Sequence, residues 1–324
     1  METTREMSNN MKDLSYIFGP ILSRRLGVSL GIDLIPHKTC NLDCVYCECG
    51  STTTHTTTLD TYIDPQAIID ELDAYLKDSP PHIDIITFAG SGEPTLNKGL
   101  GTIAEHIRAH YPQYKLGILT NSAGLSNPLV QEELLDFDII LPSVDAMFQK
   151  TFEKINRPAD GLKCDDILEG VRSFMKRYKG TIWVEYFVLP GVNDSKEELA
   201  AFKTYFTEIA PTRVQLNSMD RPGTEEWVQA PELSRLQEIE HFFQPLPVEI
   251  ISRSAKTWEM PKPSKKNLEQ IIDTIARRPQ TIEDLAVLYG ISINEASNIA
   301  DTLIASNTIV KSELNNRTYL KVIL

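Results

Sequence analysis

The sequence predicts an α/β protein built on a parallel sheet and followed by a smaller C-terminal unit. Short apolar runs alternate with amphipathic segments of about 10 to 15 residues, which is typical of βαβ units. Near the C-terminus, a segment containing Pro261 and Pro263 interrupts this alternation. The length of 324 residues is enough for about two domains. We therefore predict a main domain at 1–253, a linker at 254–264 and a small domain at 265–324.

The composition is that of an ordinary globular protein, with 41% hydrophobic and 24% charged residues. No apolar run approaches the roughly 18 residues that cross a bilayer, so we expect no membrane partner. The first ten residues are polar, which disfavours secretion, and we expect a cytoplasmic protein. The formal net charge of −13 disfavours broad binding to nucleic-acid phosphates.

Six apolar runs are predicted to form the sheet, and a weaker seventh follows them. The six lie at 30–36, 83–89, 115–120, 137–142, 181–190 and 213–217, and the seventh lies at 247–252. Residues 1–28 are expected to be a lead-in. Because six βα units are too few for a closed eight-stranded barrel, the sheet is an open, partial barrel or a doubly wound sheet. In both folds, ligands gather at the carboxyl ends of the strands.

Helices are predicted between the strands from apolar periodicity and from start signals. They lie at 64–77, 99–110, 165–178, 195–209 and 231–243. Asp64 before Pro65, and Ser195 after Asn193-Asp194, are typical helix starts, because an N-cap oxygen accepts a free backbone N–H.

The C-terminal unit is predicted to be a winged helix-turn-helix. Three helices at 265–278, 281–288 and 292–305 precede two β-rich pieces at 308–314 and 317–323, with a hairpin turn at 315–316. Residues 264–324 contain as many acidic as basic side chains, and the helix at 292–305 carries Glu295 and Asp301 but no Lys or Arg. A DNA-reading helix needs basic side chains, so DNA binding is disfavoured, and docking of a protein or presentation of a substrate fits at least as well.

Four of the five cysteines lie within ten residues, directly after a predicted strand. Cys40, Cys44 and Cys47 have the spacing C-x3-C-x2-C, and Cys49 follows them. Three thiolates on one tight loop can bind three irons of a [4Fe-4S] cluster and leave the fourth iron open. The alternative is a zinc site that recruits histidines, although zinc sites usually combine two close cysteine pairs and Cys164 is isolated.

These cysteines and two further motifs resemble the radical S-adenosylmethionine (SAM) superfamily. Tyr46 stands at the aromatic position before the last cysteine, and Phe-Ala-Gly-Ser-Gly-Glu-Pro at 88–94 is similar to the family's Gly-Glu-Pro motif. The string Ser-Arg-Arg-Leu-Gly-Val-Ser-Leu-Gly-Ile-Asp at 23–33 resembles an iron–sulfur oxidoreductase subgroup loosely related to the wybutosine-synthesis enzymes. The resemblance extends over about 18–219 and implies a partial (βα)6 TIM-like barrel that binds a [4Fe-4S] cluster and SAM.

The resemblance also implies which residues contact SAM. Glu93 would receive the SAM ammonium, Asp145 would accept hydrogen bonds from the ribose, and the segment containing Asn193 would pack against adenine. The cluster ligands are predicted to be Cys40, Cys44 and Cys47, and the SAM-binding residues Tyr46, Gly92, Glu93, Pro94, Asn121, Ser143, Asp145 and Asn193. The strand-end polar residues also fit ordinary turns and helix caps. Arg157 and Arg221, each before a proline, would anchor an anion or form surface ion pairs.

The function that the resemblance implies is that of a radical SAM enzyme. A reduced cluster would cleave SAM to methionine and a 5′-deoxyadenosyl radical, which would abstract hydrogen from an RNA nucleoside or from a peptide or protein. The implied partner is an external one-electron donor of the flavodoxin or ferredoxin type. Two alternatives remain: a redox- or SAM-responsive regulator with the winged helix as its output, and a zinc-binding interaction protein.

Overall fold

An eight-stranded sheet organises the computed structural model, which describes residues 15–77, 80, 82–251, 268–314 and 317–323. The strands outside the C-terminal unit are β1 (Ile17–Ser23), β2 (Gly27–Ile32), β3 (Thr39–Cys40), β4 (Thr54–His55), β5 (Ile85–Phe88), β6 (Lys115–Thr120), β7 (Ile139–Pro142), β8 (Thr181–Phe187), β9 (Arg213–Asn217) and β10 (Val248–Ile250). The sheet has the order β1-β2-β5-β6-β7-β8-β9-β10, and only the β1–β2 pair is antiparallel. β3 and β4 form a separate parallel pair.

Helices connect the parallel strands. They are α1 (Pro65–Lys77), α2 (Leu100–His110), α3 (Pro128–Glu133), α4 (Gln149–Asn156), α5 (Cys164–Arg177), α6 (Lys196–Ile209) and α7 (Leu233–Phe243). Their apolar faces pack on the sheet in one hydrophobic core. The side chain of Asp64 accepts the N–H of Gln66 at 3.0 Å, and that of Ser195 accepts the N–H of Glu198 at 3.1 Å. Both predicted helix starts are therefore confirmed.

The mostly parallel α/β sheet confirms the predicted fold class, but the expected lead-in at 1–28 is wrong for residues 17–28, which hold one strand and the start of the next. Residues 17–23 form β1, which pairs with β2, and β2 begins at Gly27 rather than at Leu30. The register of the pair shifts between Phe18 and Ile21, where Gly19 and Pro20 interrupt the strand. Because this irregularity breaks the apolar alternation, the sequence carries no clear strand pattern there.

The C-terminal unit has its own hydrophobic core. Its elements are α8 (Leu268–Arg277), α9 (Ile282–Tyr289), α10 (Ile293–Ala305), β11 (Ile309–Leu314) and β12 (Arg317–Val322), and the two strands are antiparallel. Three helices and a strand pair follow one another in the predicted order. The winged-helix assignment and the domain boundaries stay predictions, and the linker at 254–264 and the turn at 315–316 lie outside the described residues.

Within the described part of the chain, every helix is too short or too polar to reach across a lipid bilayer.

Candidate functional site

The predicted motifs meet at one edge of the sheet. Asp33 follows β2, Gly90 lies just after β5, Asn121 follows β6, Ser143 follows β7 and Val188 follows β8. These strands are parallel, so their carboxyl ends lie side by side. The structure therefore places the chemistry-bearing residues where α/β sheets bind ligands.

Residues 36–50, here called the cysteine loop, follow β2 at this edge. A tight turn joins the second and third cysteines, since the N–H of Cys47 donates to the carbonyl of Cys44 at 3.1 Å. Cys40 is buried, and the other three loop cysteines are half-buried free thiols. The side-chain amide of Asn121 lies 3.6 Å from the sulfur of Cys40, and that of Asn156 lies 3.4 Å from the sulfur of Cys44. Such amide donors stabilise a thiolate.

A buried lysine supplies positive charge to the same loop. Burial alone would lower the pKa of Lys38, but the surrounding cysteines outweigh it and raise that pKa. The neighbouring Cys49 and the charge of Lys38 lower the pKa of Cys47, against the effect of burial. The loop thus favours the charged form of one predicted ligand, which is the form that binds iron.

The donor set fits a [4Fe-4S] cluster better than a single metal ion. Among the residues that the structure describes, no three His, Cys, Asp or Glu side chains converge on a position for one ion. A cluster has a different requirement, because each of its three protein thiolates binds a different iron. In the described part of the chain, neither His37 nor His55 joins two other such side chains around one position, and His55 bonds the carbonyl of Asn41 at 3.2 Å.

The loop at 90–94 packs directly on the cysteine loop. A side chain at Gly92 would place its Cβ only 1.9 Å from the carbonyl oxygen of Thr39, so this approach requires glycine. The N–H of Glu93 donates to the same carbonyl at 3.2 Å. Pro94 begins a 3-10 turn, Pro94–Leu96. The two predicted cofactor motifs are therefore held together by backbone contact.

Glu93 is 2% exposed, and its carboxylate is occupied by protein donors. Oε1 accepts the N–H of Thr95 at 3.1 Å, its hydroxyl at 2.6 Å and the hydroxyl of Thr120 at 2.7 Å. Oε2 accepts the N–H of Asn121 at 2.8 Å. Glu93 thus braces the 90–94 loop against the end of β6, and its contact with the SAM ammonium stays a prediction.

Asp145 joins three parts of the site. It accepts the phenol hydroxyl of Tyr46, the side-chain amide of Asn156 at 3.0 Å and the N–H of Phe187 at 3.0 Å. The ring of Tyr46 also stacks on Phe187, with 3.9 Å between ring centroids. Burial raises the pKa of Asp145 to about 6, although these hydrogen bonds oppose the shift. The cysteine loop is thereby fixed to the ends of β7 and β8.

Asn193 and Ser143 lie beside Asp145. Asn193 is fully buried and donates to the carbonyls of Asp145 and Phe187, both at 2.8 Å, so it ties the segment after β8 to the end of β7. The backbone carbonyl of Ser143 accepts a hydrogen bond from the hydroxyl of Ser122 at 2.7 Å.

A cavity of about 20 Å³ lies among these residues and is large enough for one water molecule. Its lining includes Asn121, Ser143, Asp145, Asn156 and Cys164. The SAM contacts of Asn193 and Ser143 stay predictions.

The two arginines before prolines have different surroundings. Arg157 is partly exposed and pairs with Glu225 at 2.7 Å, as a surface ion pair would. Arg221 is 5% exposed and pairs with Asp284 of the C-terminal unit at 3.0 Å, so the expectation of a surface pair is wrong there. The packing of the C-terminal unit, which the sequence does not reveal, buries this side chain.

Sequence reasoning missed two contributors to the site, Lys38 and Asn156. Lys38 stands two positions before the first cysteine, and this closeness of a cation to the cysteines is the only signal that the sequence offers for it. Asn156 reaches Cys44 across 112 positions of the chain, a contact that only the folded structure reveals.

Comparison with known proteins identifies the family. The family model described as "Radical SAM superfamily" matches residues 34–202, which is more than half of the chain and includes the cysteine loop and the 90–94 loop. The chain belongs to the radical SAM superfamily. Its cofactors are accordingly a [4Fe-4S] cluster and SAM.

Several relatives match most of the chain, and two of them are described here. A "UPF0026 protein" from Helicobacter pylori (strain J99) is 34% identical over 280 residues, covering 86% of this chain and 89% of that protein. A protein named "GTPase Obg" from Brachyspira hyodysenteriae is 34% identical over 300 residues, covering 92% of this chain but only 44% of that protein. The chain thus spans less than half of the Brachyspira protein.

Among solved structures, the radical SAM fold recurs in Streptococcus suis SuiB, whose crystal structure contains bound S-adenosylmethionine. The TM-score is 0.52 at 14% identity, and the match covers 77% of this chain and 54% of SuiB. At this identity the likeness concerns the fold alone.

Proposed function

We propose that this member of the superfamily is a radical SAM enzyme with a partial (βα)6 barrel, whose cluster is bound by Cys40, Cys44 and Cys47. The observation that carries the proposal is the direct packing of the cysteine loop on the 90–94 loop, which brings three thiols and the SAM motif to one edge of the sheet. When bound, the reduced cluster supplies the electron that cleaves SAM to methionine and a 5′-deoxyadenosyl radical, and hydrogen is then taken from the substrate.

The residues of this chain prepare the site for that chemistry. Asn121 and Asn156 direct amide hydrogens at two of the sulfurs, and Lys38 balances the charge of the thiolates. Hydrogen bonds to cluster sulfurs and nearby charge are the protein's means of setting a cluster's reduction potential. Asp145 and Glu93 hold the surrounding strand ends in place, so the bound SAM meets a rigid frame.

The proposed partners follow from the chemistry and from the charge of the chain. The sequence has no second cysteine cluster, so a flavodoxin- or ferredoxin-type protein is proposed to supply the electron from outside. The proposed substrate is an RNA nucleoside or a peptide or protein, and the cell compartment is proposed to be the cytoplasm. The C-terminal unit, as a winged helix, is proposed to dock a protein or present the substrate rather than bind DNA, because its charges balance.

The test is anaerobic reconstitution followed by reaction with SAM and dithionite. We expect about four irons and four sulfides per chain and formation of 5′-deoxyadenosine. A variant lacking the three cysteines is the control and should form none. Zinc in place of iron would refute the proposal, and an intact cluster that never cleaves SAM, even with candidate substrates, would favour a sensor.

A further inference from the structure

We propose that Arg277, in the C-terminal unit, is a positioning residue of the SAM site that acts through Asp33 and the 90–94 loop. This inference rests on the proposed function, because it assumes that the 90–94 loop binds SAM. It assigns to the C-terminal unit a part in cofactor binding.

The first observation is the burial of Arg277. The residue is 6% exposed, and its Nε lies 3.0 Å from Oδ2 of Asp33, which is 4% exposed. Its Nη2 donates to the carbonyl of Ser15, and its guanidinium lies 4.8 Å from the ring centroid of Phe18. A side chain from the last turn of α8 is therefore enclosed by residues around β1 and β2.

The second observation is what else Asp33 holds. The same Oδ2 accepts the N–H of Ser91 at 3.1 Å and its hydroxyl at 2.5 Å. Gly90 approaches so closely that a Cβ there would lie 2.2 Å from the carboxyl carbon of Asp33. The carboxylate is thus held between Arg277 on one side and the start of the 90–94 loop on the other. This also gives a physical role to the last residue of the 23–33 string.

The third observation links the same turn of α8 to the cysteine loop. The thiol of Cys49 donates to the carbonyl of Arg277 at 3.0 Å, and lies 3.5 Å from the carbonyl of Gly90. The next residue, Arg278, places its Nε 3.3 Å from Oε2 of Glu48. Two consecutive residues of the C-terminal unit therefore contact two consecutive residues directly after Cys47.

A second anchor of the C-terminal unit supplies a matched comparison. Arg221 pairs with Asp284 and donates to the carbonyl of Pro279, so it also joins the two units through a buried arginine. No contact found for Arg221 in the described residues involves Asp33 or the 90–94 loop. Loss of Arg277 leaves a buried carboxylate without its cation, which is unfavourable, and the groups that share that carboxylate must rearrange. Loss of Arg221 is expected to leave that carboxylate and its other partners in place.

The experiment compares Arg277→Gln, Arg277→Lys and Arg221→Gln in the full chain, each with a reconstituted cluster. SAM affinity is measured by equilibrium dialysis, and the reduced cluster is recorded by EPR with and without saturating SAM. We expect Arg277→Gln to weaken SAM binding by about fivefold or more at normal iron content, with Arg221→Gln within about twofold of the original protein. The EPR change caused by SAM should be altered in Arg277→Gln and only partly restored in Arg277→Lys, because lysine keeps the charge but loses the planar contacts of the guanidinium.

Equal losses in Arg277→Gln and Arg221→Gln would overturn the inference, because they would indicate domain docking alone. Unchanged SAM affinity and EPR spectra in Arg277→Gln would overturn it too. If thermal unfolding shows that Arg277→Gln does not fold, Arg277→Lys decides: weaker SAM binding supports the inference, and the original affinity contradicts it. If the unsubstituted protein assembles no cluster or binds no SAM, the proposed function itself is refuted, and this result precedes any comparison of variants.

Discussion

At the scale of a single residue, Cys49 tests which of the loop cysteines bind the cluster. Its thiol lies beside Cys47 and donates to the backbone carbonyl of Arg277. Replacing Cys40, Cys44 or Cys47 singly by Ala should abolish cluster assembly, since each change removes one iron ligand. Cys49→Ala should keep about four irons per chain. Iron and sulfide analysis after reconstitution measures the cluster content of each variant. Loss of the cluster in Cys49→Ala, with its retention in one of the other three, would refute the ligand assignment.

Glu93 offers a test that does not depend on the cofactor. Glu93→Gln keeps the shape of the side chain but replaces one carboxylate oxygen by an NH2 group. If that group takes the place of Oε2, the N–H of Asn121 loses its acceptor. An unsatisfied buried donor costs about 1–3 kcal/mol, and removal of a carboxylate whose pKa is raised by burial offsets part of that cost, so we expect the free energy of unfolding to fall by about 1 kcal/mol. Denaturant unfolding measures it, with Glu105→Gln at an exposed position of α2 as the control. Unchanged stability would show that bracing is not the role of Glu93.

The predictability of the site differs from one residue to the next. The three cysteines follow from their spacing, because cluster ligands on one loop are local in the chain. The position of Asn193 beside adenine stays a prediction, and its two hydrogen bonds to the carbonyls of Asp145 and Phe187 are contacts that no local pattern reveals. The contact of Arg277 with Asp33 spans 244 positions and depends on how the C-terminal unit docks. Such long-range pairs are beyond sequence periodicity.

At the scale of secondary-structure elements, helix α3 carries a half-buried carboxylate, Glu133, whose charged form is disfavoured by burial. The side chain of Glu133 packs over Gly101 of α2, and burial raises its pKa to about 7. Between its ordinary pKa and this value the folded state binds more protons than the unfolded state, so stability falls as the pH rises. Glu133→Gln should therefore raise the free energy of unfolding by about 1 kcal/mol at pH 8, after allowance for solvent screening. Near pH 4 the substitution should leave the free energy of unfolding unchanged.

Thermal or urea unfolding at the two pH values checks this prediction, with Glu105→Gln again as the control. An equal gain at both pH values would contradict the protonation argument, because a fully protonated Glu133 should behave like the amide.

The elements themselves were predicted with uneven success. The parallel strands and their long helices have clear apolar periodicity, and the structure confirms them within a few residues. β1 was missed because its bulge breaks the alternation, and the short helices α3 and α4 contain too few turns to show a helical pattern.

At the scale of the whole molecule, the C-terminal unit contacts the loops that carry the proposed cofactor site. The sheet supplies the cysteine loop and the 90–94 loop, and the C-terminal unit contacts both through Arg277 and Arg278. Its balanced charge disfavours a role as a separate DNA reader.

The central claim is that the cysteine loop binds a cluster with one iron left open to SAM. Mössbauer spectroscopy of the protein reconstituted with isotopically enriched iron tests it most directly. We predict that SAM changes the signal of one iron of the four and leaves the three cysteine-bound irons nearly unchanged. A spectrum that does not respond to SAM, or a cluster with four equivalent irons at saturating SAM, would contradict the account.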